Sequence, residues 1–325
     1  MRIKNLYIEK DVLNEKRTLE IQKRLKFDNI IICNSYQEVF NVKNQNFRIQ
    51  KRNPSIIIAR KKKNFLLEAP KDFSIGYKNN YYFSHMLNCL YDCKYCYLQG
   101  MFNSANYVIF INYNDFFEQI KKKVESSSES FCFFSGYDCD SLAFEEYTGF
   151  VKFFLDKFRE IKNSVLEIRS KSTNIKCLLN TKPTSNVIPA FSLNSNEQIN
   201  TLEYKTPRLN NRIDAIRKLQ NIGWNIGLRF DPFIWMNEEK NIKFFLRDIF
   251  SSLNTKRIHS VTIGNFRMPK GYLKRILKIN NNDSFLLENY LRQDYNMLED
   301  NNKSGKDILK NIMSSFVDKS KIYLN

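Results

Sequence analysis

The chain has 325 residues with 52 Lys and Arg against 34 Asp and Glu, a formal charge of +18, and is 42% hydrophobic and 14% aromatic. That much apolar material beside an ordinary 26% of charged residues excludes general disorder. No apolar run approaches the ~18 residues that would span a bilayer, so no membrane association is expected.

The opening MRIKNLYIEKDVLNEKR is broken by charges with no apolar stretch behind it. It does not read as a secretory signal, and the expected compartment is the cytoplasm. Residues 1–50 carry no chemistry-bearing motif and are set apart as an N-terminal extension, in which TLEIQKRLKF (18–27) reads as a helix packing on the barrel. Short apolar runs rich in β-branched and aromatic residues then alternate with helical patterns. NYVIFINY (106–113) precedes NDFFEQIKKKVE, FCFFSG (131–136) precedes AFEEYTGFVKFFLDKFREI, and SVLEIRS (164–170) precedes NIKCLLN. VIPAFSLN (187–194), WNIGLRF (224–230) and HSVTIGNF (259–266) continue the series, each followed by a helical pattern. Such alternation predicts an α/β fold with a parallel sheet or barrel. The clearest helix is expected over 206–223, with Thr206 as N-cap, Pro207 in the first position, Leu209, Ile213, Ile216 and Leu219 on one face, and Gly223 at the end. Residues 276–325 read as a C-terminal helical extension.

Chemistry concentrates in SHMLNCLYDCKYCYLQG, where Cys89, Cys93 and Cys96 fall within eight residues. At this chain's cysteine frequency a CxxxCxxC pattern arises by chance about 3 times in 1000 chains of this length. Structural zinc needs four protein ligands, normally as two separated pairs, and no second pair is found. His85 is a candidate fourth ligand, which leaves zinc open. A single triplet better suits a cubane cluster with one iron free for another molecule. The positive charge suits a polyanionic partner such as nucleic acid. An equally simple reading is a solvated lysine surface, since the runs Arg60–Lys63 and Lys121–Lys123 are short and far apart.

The triplet, with Tyr95 just before its third Cys, resembles the radical SAM superfamily. CKYCYLQG, with Tyr95 and Tyr97 flanking Cys96, resembles the spore photoproduct lyase branch in particular. FSGYDCDSLAFEEYTG, LEIRSKS, FSLN, TPRLNNRIDAIRKLQNIGWNIGLRFDP and VTIGNFRMPKG fit that family's order, so the motif-bearing likeness covers roughly residues 50–275. The resemblance implies a partial (β/α)6 barrel over 51–275 with N- and C-terminal decorations. It implies a [4Fe–4S] cluster on Cys89, Cys93 and Cys96, and S-adenosylmethionine near Tyr95, Gly136, Lys171 and Ser192, with Asp138 or Asp140 as a further acid. In that family a 5′-deoxyadenosyl radical opens a thymine photoproduct in DNA. By the same likeness Cys139 returns a hydrogen atom, and Tyr95 and Tyr97 pack the cofactor and take part in radical return. Cys132, Cys33, Cys177 and His259 are read as inert. A reductant such as flavodoxin or ferredoxin is implied, and the chain is expected to act as a monomer.

The chain departs from the family at its C-terminal end, where members carry a basic, aromatic hairpin with an RYKW-like run. Residues 284–325 instead contain no such run, and Arg292 and Tyr295 are candidate remnants. Two alternatives stand beside the lyase reading. One is an enzyme of the same branch acting on another substrate, and the other is a non-catalytic, metal-bearing nucleic-acid module.

Overall fold

The computed structural model describes residues 2–71, 73–233, 239–280, 285–287 and 298–325. Among them the strands fall into three sheets. The largest is a curled half-barrel of eight strands. In spatial order these are β15 (Ile322–Leu324), β14 (Ile258–Asn265), β13 (Ile226–Phe233), β11 (Val187–Ser192), β10 (Ser164–Ser170), β9 (Phe131–Ser135), β5 (Asn79–Tyr82) and β4 (Leu67–Glu68). Every neighbouring pair is parallel except β4 with β5. From β5 through β14 the successive strands are separated by helices, as the strand–helix alternation predicts.

Both faces of these strands are covered, which is why they read as nearly continuous apolar runs. Phe131, Phe133, Leu166, Ile168, Leu228 and Phe230 pack outward against the helices. The alternate residues Cys132, Phe134, Val165 and Ile188 face inward onto Phe73 and Ile75. The inner face also carries a buried ion pair, Glu167 with Arg229 at 2.7 Å, and Arg229 donates further to the Ser260 carbonyl and hydroxyl.

The second sheet has the order β2 (Lys26–Cys33), β1 (Arg2–Glu9), β3 (Ile56–Ala59), β8 (Tyr107–Phe110), β6 (Met86–Leu87). The run at 106–113, expected in the barrel series, belongs here. Its partner is β3, in the register Ile57↔Val108, and β3 in turn pairs with β1 through Leu6↔Ile56. Residues before 50 thus supply two strands to a sheet completed by residues after 50. The stretch 18–27 is helical over Lys16–Arg24, and Lys26 already begins β2.

Three helical expectations shift. The expected 206–223 helix starts at Leu209, because the Thr206 hydroxyl is engaged elsewhere, donating to the Glu203 carbonyl at 2.9 Å and accepting from Arg212 at 2.8 Å. Its apolar face is buried as expected, and Gly223 closes it at φ +108. The helix expected at 143–161 is split by Gly149, at φ +61, into Glu145–Thr148 and Phe150–Phe158. The C-terminal stretch, read as helical, forms a helix over Leu298–Met313 and then a strand, β15, at the half-barrel edge. Arg292 and Tyr295 lie outside the described residues. No helix among the described residues is long and apolar enough to cross a membrane.

Candidate active site

Past the C-terminal end of β5 the chain enters the cysteine loop, and three devices fix its path. Asn88 adopts φ +68 and donates its side-chain amide to the carbonyls of Ser104 and Asn106, at 2.7 and 2.8 Å. β7 (Asp92–Cys93) pairs antiparallel with β12 (Glu203–Tyr204), placing Cys93 opposite Glu203. Gln99 ties back to the Cys93 carbonyl at 2.7 Å and accepts from Arg48, which also holds Asp92 in a two-pronged pair at 2.7 and 2.6 Å.

The result brings Cys89, Cys93 and Cys96 to one small cavity, lined also by Phe47, Lys51, Asn88, Tyr91, Asp92 and Gln99. All three cysteines are free. Burial pushes the Cys89 thiol up to about 12 and raises Cys93 and Cys96 as well, so in the metal-free chain they are neutral. Among the described residues no three His, Cys, Asp or Glu side chains stand grouped as a ready-made metal site. His85, the candidate fourth zinc ligand, is placed elsewhere. Its ring stacks on Phe150 at 3.4 Å and its nitrogens lie 3.9 Å from the Cys139 sulfur, while burial lowers it to about 3.

Beside the loop, Tyr95 donates its hydroxyl to Glu203. The Glu203 carboxylate also accepts from Asn194 at 2.8 Å and pairs with fully buried Arg212 at 2.5 Å, and Arg212 donates to the Ser192 carbonyl at 2.9 Å. Lys171, at the end of β10, holds its ammonium 5.6 Å from the centre of the Tyr95 ring. Desolvation works against that ammonium, but the pull of nearby negative charge, Glu203 foremost, outweighs it and raises the lysine. Three of the expected residues, Tyr95, Cys93 and Lys171, therefore gather around Glu203, and Ser192 is joined to it only through Arg212, which its carbonyl holds. Sequence motifs do not single out Glu203 or Arg212, nor Lys51 and Arg48 beneath the cysteines. Arg212 sits in an ordinary amphipathic helix pattern, and nothing local marks it as buried.

The loop after β9 carries the remaining candidates. Gly136 has φ +80, and a Cβ there would stand 2.6 Å from Ser141 Oγ and 2.8 Å from the Arg169 carbonyl. The protein's own packing thus already requires a glycine here. Asp140 is fully engaged, accepting from Ser170 and from the backbone of Leu142, Ala143 and Lys171. Asp138 accepts from Ser84 through one oxygen, while its other buried oxygen has no partner. Burial raises both carboxyls. Cys139 is buried in the core of the second sheet with Met86, Tyr107 and Phe144, and burial pushes its thiol well above the ordinary value. Tyr97 donates to the Tyr137 carbonyl at 2.5 Å, and the Tyr137 ring stacks on Tyr82 at 4.1 Å. Cys132 is buried inside β9 as expected, and His259 lies within β14, 3.1 Å from the Ser260 hydroxyl.

The profile of the spore photoproduct lyase family matches residues 2–323, beyond the motif-bearing stretch at both ends. The chain belongs to the spore photoproduct lyase family. The spore photoproduct lyase of Clostridium acetobutylicum is 24% identical over 217 residues, 66% of this chain and 64% of that protein's length. The Bacillus subtilis spore photoproduct lyase is also 24% identical, over 79% of this chain and 75% of its own. A solved spore photoproduct lyase mutant with bound AdoMet and dinucleoside spore photoproduct superposes with a TM-score of 0.81 at 18% identity, covering 99% of this chain and 98% of that one. A second, complexed with dinucleoside spore photoproduct, gives 0.80. These superpositions establish the family's fold over the whole chain, including the second sheet.

Proposed function

We propose that the chain is a radical SAM enzyme that repairs a thymine photoproduct in DNA, with Cys89, Cys93 and Cys96 holding a [4Fe–4S] cluster. The observation that carries this reading is the convergence of three free thiols on one cavity, with a charged lysine and a buried carboxylate network at its edge. The donor set fits an open-iron cubane, because three thiolates leave one iron without a protein ligand. When bound, the cluster and S-adenosylmethionine supply a 5′-deoxyadenosyl radical that abstracts hydrogen from the substrate.

The chain's residues bind, orient and protect. Lys171 offers its ammonium to a carboxylate of the cofactor, while Ser192 and Gly136 shape the strand ends around it. Tyr95, fixed by Glu203, covers the site from water. Cys139, a free and buried thiol in the loop after β9, is assigned as the hydrogen-atom donor on the family likeness of its position. Tyr97 is assigned to radical return, beside the aromatic group of Tyr137 and Tyr82. DNA is the proposed partner, and the electron comes from a flavodoxin- or ferredoxin-type reductant.

The test is anaerobic reconstitution followed by iron and sulfide analysis, then reduction with dithionite in the presence of S-adenosylmethionine. Iron with matching sulfide and release of 5′-deoxyadenosine is the expected result. Zinc without sulfide, or no 5′-deoxyadenosine from a fully loaded cluster, would overturn the proposal.

A further inference from the structure

We propose that Lys51 is a built-in counter-charge for the group held by Cys89, Cys93 and Cys96. The inference rests on the cluster reading and goes beyond it. Lys51 follows the short helix Phe47–Gln50 and is only 3% exposed. Its ammonium donates to the Cys89 carbonyl and lies 5.3 Å from the Tyr107 ring centre, and the residue lines the same cavity as the three thiols. Among the described residues no carboxylate pairs with it. The acid in that cavity, Asp92, is already held by Arg48 through two hydrogen bonds.

An ammonium taken out of water without a counter-ion is costly, and one hydrogen bond to a carbonyl does not offset that cost. Three thiolates around a dipositive [4Fe–4S] core leave a net anionic group, which is the charge the cavity lacks. Arg48 acts differently, holding Asp92 through two hydrogen bonds. A fixed positive charge beside the cluster favours its more negative, reduced form, because reduction potential follows local charge and hydrogen bonding. Lys51 thereby makes the cluster easier to reduce without touching the reacting atoms.

Two substitutions separate charge from shape in the full-length, anaerobically reconstituted chain. K51Q keeps an amide donor for the Cys89 carbonyl and removes the charge, whereas K51R keeps the charge. The cluster midpoint is read by redox titration monitored by electron paramagnetic resonance, and the melting temperature is read with and without metal. The expected result is a more negative midpoint for K51Q than for wild type or K51R. K51Q should also lose iron faster to a chelator, while metal-free K51Q melts no lower than metal-free wild type. A K51Q chain with full iron and sulfide and an unchanged midpoint would overturn the proposal. So would equal destabilisation of the metal-free and loaded forms, up to failure to fold, since Lys51 would then be only a brace for the loop. Wild type that takes up no iron in the same preparation overturns the cluster reading itself, and the counter-charge with it.

Discussion

Cys139 sits one residue past Asp138 and one before Asp140, and the three neighbours have different roles. Asp140 ties the loop after β9 to the end of β10 through Ser170 and Lys171, and holds the loop's own turn through the backbone of Leu142 and Ala143. Asp138 keeps one buried oxygen without a partner, beside Tyr97 and Ser84. Cys139 keeps its S–H hydrogen. If that hydrogen atom quenches the substrate radical, Cys139→Ala leaves 5′-deoxyadenosine formation at the wild-type rate while the repaired product gives way to adducts and stalled radicals. Product analysis by chromatography and mass spectrometry checks this, and an unchanged product spectrum would remove Cys139 from the mechanism. At this scale the sequence was legible where spacing is short. Cys89, Cys93 and Cys96 announce themselves, whereas Glu203 lies over a hundred residues from Tyr95 and reaches it only through the pairing of β12 with β7. Lys51 gives no local signal because QKRNPS looks like an exposed basic turn.

Among the elements, the strand–helix alternation could be read because each strand is short, apolar and buried on both faces. The second sheet could not, since its strands β1, β3 and β8 pair across about 50 residues and carry no turn signature linking them. Two contacts between elements are open to measurement. Gly100, in the helix Leu98–Met101 that follows the cysteines, lies so close to the helix Lys270–Ile279 that an added Cβ would stand 2.5 Å from the Tyr272 carbonyl. Gly100→Ala should destabilise the chain by about 1–3 kcal/mol in urea unfolding, as overpacking does. A change within error would mean that the two helices separate freely. Inside the half-barrel, burial alone would raise the Glu167 carboxyl, but Arg229 and Arg169 outweigh it and hold it down to about 2, against an ordinary 4.5. A depressed acid contributes stability that is present above 4.5 and fades as the pH falls toward 2. Glu167→Gln should therefore cost roughly 3–5 kcal/mol at pH 7, as breaking a buried pair does, and should flatten the loss of stability between pH 4.5 and 2. Urea unfolding at neutral pH and at two points across that acid window checks both, and parallel curves for the two chains would refute the assignment.

For the whole molecule, the +18 charge takes on a more specific meaning. The buried charges do not account for it: Lys51, Arg212 and Arg229 are buried, but so are Glu9, Asp138, Asp140, Glu145, Glu167 and Glu203, and two of the three cations are cancelled in ion pairs. The positive excess therefore lies outside the buried core, where it is free to meet a polyanion with an attraction that salt weakens. The family and its fold now extend over the full chain, while the substrate rests on the proposal. The most direct test is to incubate the reduced, cluster-loaded chain with S-adenosylmethionine and the dinucleoside spore photoproduct and to measure released thymidine by chromatography. The account predicts that the lesion is converted to two thymidines, and that Cys93→Ala abolishes the conversion. Turnover of S-adenosylmethionine with no loss of the lesion at any enzyme level would contradict it.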